Sequence, residues 1–236
     1  MVYLGAKAGY MNIDYSKQTL ETPNPIARFA HTKRYQVSLR TILNYLEDDG
    51  ALLDFGCGKG DLLDRLSDLK PQSTLYGFDP ESNHTPSRYL SLSNLNNVLD
   101  ESIDIVCCFE TLEHLLQSEK GEFYKDVNRI LEKRGKLVVS VPIIGGSTLL
   151  LKELNHIILF KRKTEYSVKE LVLATFLGKP AKQPENPRVT HKGFDFRELE
   201  KELSFNFQIL EKSYSPFPFL PWYFNSQVFY ILSKLS

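Results

Sequence analysis

Residues Ala51-Leu52-Leu53-Asp54-Phe55-Gly56-Cys57-Gly58-Lys59-Gly60-Asp61 join a short apolar run to an acid, three alternating glycines and the start of a helical pattern. Glycines at this spacing let a chain turn sharply from strand into helix, and let its backbone approach a ligand with no side chain in the way. The acids narrow the choice of ligand. A dinucleotide fingerprint would place a third glycine at 61, where Asp61 stands, and Asp54 already closes the strand. Two carboxylates repel a pyrophosphate, so the loop suits a ligand that carries positive charge and no phosphate. A second group lies downstream, Glu110-x-x-Glu113-His114, with His191 far beyond it. These residue types move protons near neutrality or hold a divalent cation.

The elements that must position these groups follow from periodicity. Residues 1–22 read as an irregular arm, and Asn24-Pro25 offers an N-cap with proline at the first helical position. Ile26, Phe29, Ala30, Val37, Ile42, Leu43 and Leu46 then recur at roughly helical spacing. Beyond the glycine loop, Leu62, Leu63, Leu66 and Leu69 form an apolar stripe ended by Pro71, and Thr74 to Asp79 is a second strand with an acid at its end. Ser82 to Ser91 is polar and irregular. Ile103 to Phe109 reads as a buried strand, Glu119 to Leu131 as a helix ended by Gly135, and Leu137 to Val141 as a further strand. Strands thus alternate with helices over 51–141, as a parallel, doubly wound α/β sheet requires. Residues 147–177 read as a helical insertion with a capping box at Ser167–Glu170, and 178–193 as a loop. A short helix, Phe196 to Leu203, and two strands, Phe207–Leu210 and Gln227–Leu232, close the chain, the strands joined by the aromatic loop Tyr214–Phe224. The expected division is an arm and helix over 1–46 and one domain over 47–236, with its insertion at about 147–190.

Composition bounds the partners. The 236 residues balance 29 Lys and Arg against 29 Asp and Glu, so no global field draws the chain to nucleic acid. Cys57, Cys107 and Cys108 are odd in number and lie in apolar surroundings, which suits reduced thiols packed in a cytoplasmic protein. Met1 to Lys7 lacks the pattern of a signal peptide. Thr148 to Phe160, broken by Lys152-Glu153, is too short to span a bilayer.

At four places the sequence resembles the class I S-adenosylmethionine-dependent methyltransferases. Leu53-Asp54-Phe55-Gly56-Cys57-Gly58-Lys59-Gly60 is similar to their first motif, with Phe55 as the bulky departure, and Gly77-Phe78-Asp79 to their second. Ile103 to Leu115, ending Leu112-Glu113-His114-Leu115, resembles their fourth strand and the turn after it. The run His191-x-x-Phe194-x-Phe196-x-Glu198-Leu199 and the terminal hairpin resemble their C-terminal half. The resemblance implies a Rossmann-like seven-stranded sheet, mostly parallel with a C-terminal antiparallel hairpin strand, and helices on both faces. It implies S-adenosyl-L-methionine as donor and S-adenosyl-L-homocysteine as product. The donor's contacts would be Asp54, Gly56, Cys57, Gly58 and Gly60 in the loop, Asp79 on the ribose hydroxyls, Leu95 near adenine and Phe109 beside the methionine part.

A sulfonium methyl is already activated, so the protein must chiefly hold an acceptor in line and supply a base if the acceptor is a hydroxyl. Glu110, His114 and His191 are the candidate catalytic residues, with His114 the expected base; its alternative role is to cap or pack the turn. No resident metal is expected. Even so, Glu110, Glu113, His114 and His191 are similar to the two-glutamate, two-histidine set with which small-RNA 2′-O-methyltransferases hold a divalent ion. The insertion pairs a leucine- and isoleucine-rich run with Lys161-Arg162-Lys163, and Ser215 to Phe224 adds a proline-stiffened aromatic wall. Both suit a lid over a small-molecule, glycan or lipid-linked acceptor, or peripheral contact with a membrane; packing on each other is the alternative. The run Asn24 to His31 resembles bacterial methyltransferases associated with surface glycans. Two other functions stay open: a non-catalytic module that binds S-adenosylmethionine or its product, and an RNA methyltransferase using Lys179, Lys182, Arg188 and Lys192. Neither the oligomeric state nor the methylated atom is legible.

Overall fold

The computed structural model describes residues 25–80, 86–158, 163–184 and 186–235. The arm 1–22, the Asn24 cap, the first part of the polar stretch after Asp79, and Leu159 to Arg162 of the insertion lie outside the described residues.

In chain order the elements are α1 (Pro25–Tyr45), β1 (Ala51–Phe55), α2 (Asp61–Leu69), β2 (Thr74–Phe78), β3 (Leu90–Leu92), β4 (Ile103–Phe109), α3 (Gln117–Ile130) and β5 (Leu131–Pro142). Then follow α4 (Gly146–Ile158), α5 (Val168–Phe176), α6 (Phe196–Asn206), β6 (Phe207–Ser215) and β7 (Gln227–Lys234). The strands form one sheet in the order β3-β2-β1-β4-β5-β7-β6, in which β7 runs antiparallel to both of its neighbours and every other pairing is parallel. The chain enters at β1, winds outward to β3, then crosses back to β4. A crevice opens at the carboxyl ends of β1 and β4, where ligands bind in sheets of this kind.

Successive residues of a strand point to opposite faces, and the core divides accordingly. Leu52, Ile105, Cys107 and Val138 pack on one face with Ile42 and Leu46 of α1 and Leu63 and Leu66 of α2. Leu53, Val106, Cys108 and Val139 pack on the other with Phe123 and Val127 of α3 and Leu199 and Leu203 of α6. The fully buried Leu63 and Leu66 each contribute about 1.5–3 kcal/mol. The doubly wound, seven-stranded expectation is therefore met, with helices on both faces.

Two local readings change. The edge strand β3 is three half-exposed or exposed residues inside the polar stretch, too short to leave an apolar signature. Gly135 does not end α3, which stops at Ile130 and passes directly into β5. It sits instead where the β4–β5 register shifts, and a Cβ there would lie 2.9 Å from the Asp104 carbonyl oxygen.

Candidate active site

After β1 the loop is tied to the end of β2, because the Gly56 and Cys57 N–H groups both donate to the Phe78 carbonyl (2.7 and 3.3 Å). Gly56 has φ 83°, and a Cβ on it would come within 2.2 Å of Thr111 Oγ1. Gly60 has φ 84° and is closed in by the Tyr89 hydroxyl at the same 2.2 Å. Thr111 and Tyr89 thus fix the loop from both sides; Thr111 falls within the Ile103–Leu115 run, and Tyr89 is marked by no sequence motif. At Gly58, by contrast, a Cβ would meet no atom within 4 Å, so the tip of the loop stands open to a ligand. Its N–H donates to Asp79 Oδ2 (2.8 Å), which places the second acid against the loop.

Asp54 lies beneath the loop, 5% exposed, where its Oδ1 accepts a 3.5 Å hydrogen bond from the Cys107 thiol. Burial pushes its carboxyl up to about 7, against the pull of Cys107 and with a further push from Asp79. A buried carboxyl pushed up by a second acid beside it suits a cationic ligand. Burial, then Asp54 and Asp79, push the Cys57 thiol up to about 12, so it stays protonated and is a poor nucleophile. Phe109 ends β4 beside this crevice, half-buried and packed on the same face as Cys57. The Leu95 side chain is in the core, and its carbonyl accepts from Arg129 Nη2 (2.7 Å).

The second group gathers just past β4. Glu110 has φ 51°, in the left-handed region that glycine favours. Its N–H donates to the Ser140 carbonyl (2.9 Å), its Oε1 accepts from the Ser140 hydroxyl (3.1 Å), and its Oε2 pairs with Arg34 Nη1 (3.2 Å). One turn on, the Glu113 side chain is wholly buried, and neither of its oxygens has a hydrogen-bond donor. Two imidazoles face it, with His191 Nε2 at 3.6 Å and His114 Nε2 at 4.0 Å from Oε1, and the rings stand 4.6 Å apart. His114 Nδ1 lies 3.3 Å from the Pro187 carbonyl. A carbonyl only accepts, so Nδ1 carries the hydrogen, and in the neutral ring the lone pair is on the Nε2 that faces Glu113.

Burial pushes both Glu110 and Glu113 up to about 7; Arg34 opposes it at the first and His114 at the second. Burial, then Lys152, lowers His191 and favours its neutral ring. The cluster therefore sets two carboxyls that change charge close to neutrality against two imidazoles. Glu113, His114 and His191 also bring one ligand atom each within 4.8 Å of one another, spacing that a metal ion could use. The orphaned Glu113 carboxylate, the two inward-facing nitrogens and the neighbouring Glu110 fit a divalent cation of the oxygen- and imidazole-binding kind.

All three residues expected to act in catalysis are thus brought together. One that sequence reasoning missed, Arg34, joins them from α1 through its ion pair with Glu110. Arg34 and Ser38 are buried, and with His31 they line one face of the helix, which turns apolar only at Ile42 and Leu46. Polar residues at 31, 34 and 38 followed by apolar ones at 42 and 46 were the available signal. Burial, then Arg34 and Lys152, lower His31 to about 4. His191 is held from both sides: Arg188 pairs with Glu119 of α3, while Lys192 bonds to Glu170 Oε2 of α5 (3.1 Å) and to the Glu165 carbonyl (2.7 Å). An open groove of about 520 Å³ lined by Lys133, Arg134 and Lys136 lies at the other end of the strands, far from these groups.

Residues 27–165, more than half of the chain, match the model of a methyltransferase domain family. The chain belongs to that family. This methyltransferase uses S-adenosylmethionine as its donor. No curated protein matches its sequence. Among solved structures it is similar to the PH0226 protein of Pyrococcus horikoshii OT3, at 16% identity and TM-score 0.59 over 94% of this chain and 100% of that one. It is also similar to geranyl diphosphate C-methyltransferase of Streptomyces coelicolor A3(2), solved with Mg²⁺, geranyl diphosphate and S-adenosyl-L-homocysteine (10% identity, TM-score 0.55, 92% and 89% covered). A third is phosphoethanolamine N-methyltransferase 2 of Haemonchus contortus with S-adenosyl-L-methionine (12% identity, TM-score 0.54, 85% and 53% covered). At such identities the structures share a fold, and their acceptors differ. No helix among the described residues is long and apolar enough to cross a membrane.

Proposed function

We propose that the methyltransferase acts on a hydroxyl of a small-molecule, glycan or lipid-linked acceptor, held between the glycine loop and the Glu110–Glu113–His114–His191 cluster. The observation that carries this reading is the convergence of two buried carboxylates and two imidazoles beside the donor crevice, where a methyl acceptor must lie. Asp54, Gly56, Cys57, Gly58, Gly60, Asp79, Leu95 and Phe109 form the donor's surroundings, with Asp79 taking both ribose hydroxyls. The acceptor oxygen attacks the methyl carbon as the carbon–sulfur bond breaks, and its electron pair returns to sulfur to give neutral S-adenosylhomocysteine. The acceptor's proton passes to His114 Nε2, whose ring is oriented by the Pro187 carbonyl. His191 and Glu113 stabilise the imidazolium, and Glu110, fixed by Arg34 and Ser140, walls the acceptor.

A second reading of the same residues rests on Glu113, whose buried oxygens lack hydrogen-bond donors while two imidazole nitrogens point at it. Glu110, Glu113, His114 and His191 would hold a divalent cation; when bound, such an ion polarises an acceptor hydroxyl. Full turnover in excess chelator excludes this reading, and loss restored by magnesium or manganese supports it.

Incubating the protein with donor labelled in its methyl group and a fractionated cell extract tests the proposal. Label is expected in a small, glycan or lipid-soluble product, as an ether stable to mild base. Label in an RNase-sensitive fraction would replace the acceptor class with RNA. Donor binding without transfer in any fraction would leave a sensor module in place of an enzyme.

A further inference from the structure

Two helices of the insertion bury apolar residues, Leu149 on α4 and Ala174 on α5, and expose further apolar stripes as well. On α4, Leu151, Leu154 and Ile157 are exposed at three-residue spacing, while Glu153 is buried and accepts from the Thr164 hydroxyl (2.5 Å). On α5, Val168 (81% exposed), Val172 and Phe176 (65%) recur at four-residue spacing on the solvent side, and the buried side carries Thr175. The two helices pack on each other. The first turn of α4 is clasped by the aromatic loop, with the Ser147 and Thr148 hydroxyls donating to the Tyr223 and Asn225 carbonyls, and that loop adds Phe219 at 80% exposure. Amphipathic helices in a water-soluble domain ordinarily leave their outer face polar. Apolar exposure on this scale marks an interaction surface.

Charge identifies the occupant. The described residues of 146–182 carry five Lys against three Glu, two net positive charges in a chain whose total is zero. Of the three acids one is Glu153, buried, and Glu170 is tied to Lys192. Lys152, Lys163, Lys169, Lys179 and Lys182 are exposed around the apolar stripes. A second copy seated on this face would set positive charge against positive charge. Apolar side chains ringed by lysine match an anionic lipid surface, where the stripe enters the acyl boundary and the ammonium groups stay at the headgroups.

We propose that α4, α5 and the aromatic loop form a docking face for an anionic lipid bilayer. Lys152 on α4 lies near enough to His31 and His191 to act on both, so α4 passes close to the Glu113–His191 cluster. Docking itself is independent of the acceptor; delivery of a lipid-linked acceptor along it rests on the reading given under Proposed function.

Sedimentation of the whole chain with vesicles of phosphatidylglycerol and phosphatidylcholine, and with phosphatidylcholine alone, tests the face. Binding to the anionic vesicles is expected, with at least about a tenfold loss on combining Leu154→Gln, Val172→Gln and Phe176→Gln. A similar loss is expected for the unsubstituted chain at about 0.5 M salt. Calorimetry with S-adenosylmethionine reports whether the triple variant is folded; should it not be, Phe219→Ser and the salt series carry the test. No binding to either vesicle, equal binding to both, or a dimer that the same substitutions dissolve would overturn the proposal. Labelled transfer into a soluble acceptor with no vesicle binding would leave the proposed chemistry standing and remove only the docking face.

Discussion

The glycine-loop crevice, proposed to hold the donor, and the Glu110–His191 cluster, proposed to face the acceptor, lie side by side and are made in different ways. The crevice is one continuous turn, Asp54 to Gly60, braced by the end of the adjacent strand through Phe78 and Asp79. The cluster is assembled from Arg34 on α1, the Glu110–His114 turn, Ser140 on β5 and His191 in the segment before α6. A ligand shared by a whole family can be held by backbone and a few local side chains. An acceptor particular to one protein is held by side chains that only the folded chain brings together. If so, either half can be damaged without the other.

The largest effect is expected from His114→Ala. Turnover should fall by about 10²–10⁴-fold, the range for losing a general base, while calorimetry finds donor affinity unchanged. A parallel loss of donor binding would mean that the two halves are one site. Next comes Asp79→Ala, for which the affinity for S-adenosylmethionine should weaken by about a hundredfold, because two charge-assisted hydrogen bonds go with the carboxylate. Unaltered affinity would move the donor away from the β2 end.

A smaller effect follows from Asp54, raised by burial to about 7. The cationic donor prefers the ionised carboxyl, so its binding should strengthen by up to about tenfold per pH unit as pH rises toward that value, and Asp54→Asn should flatten the profile. Stability of the ligand-free protein runs the other way. A carboxyl whose folded pKa lies above its unfolded value, 3.8 here, contributes stability that is full below 3.8 and lost as pH rises through about 7. Thermal melts across that window, with and without donor, should diverge. The smallest effect is Lys192→Ala, which frees one side of the His191 segment; turnover should drop by only about three- to tenfold, with donor binding untouched.

The same contrast decides what could be read from the chain alone. β1, β2, β4 and the second half of β5 are short, largely buried and mostly apolar runs, and the glycine loop needs its glycines for backbone reasons that act within a few residues. β3 left no trace because an exposed edge of three residues has no apolar pattern. Beyond Leu210, β6 carries Glu211, Lys212 and Ser213, since an edge strand faces water and shows no core alternation. Arg34 was overlooked because its partner, Glu110, is distant in sequence and its helix buries polar residues exactly where a core stripe was sought. His191 was found by motif; its clamp between Glu119 and Glu170 was not, because surface charges advertise no partner.

Glu110 occupies a backbone region that suits glycine or asparagine, buries a carboxylate, and sits at the junction of the two halves. A residue of that kind makes the fold less stable than it needs to be. Thermal stability thereby becomes a map of function that requires no acceptor: substitutions that raise the melting temperature while silencing the enzyme should cluster around position 110, and their outline on the surface would trace the shape of the missing substrate.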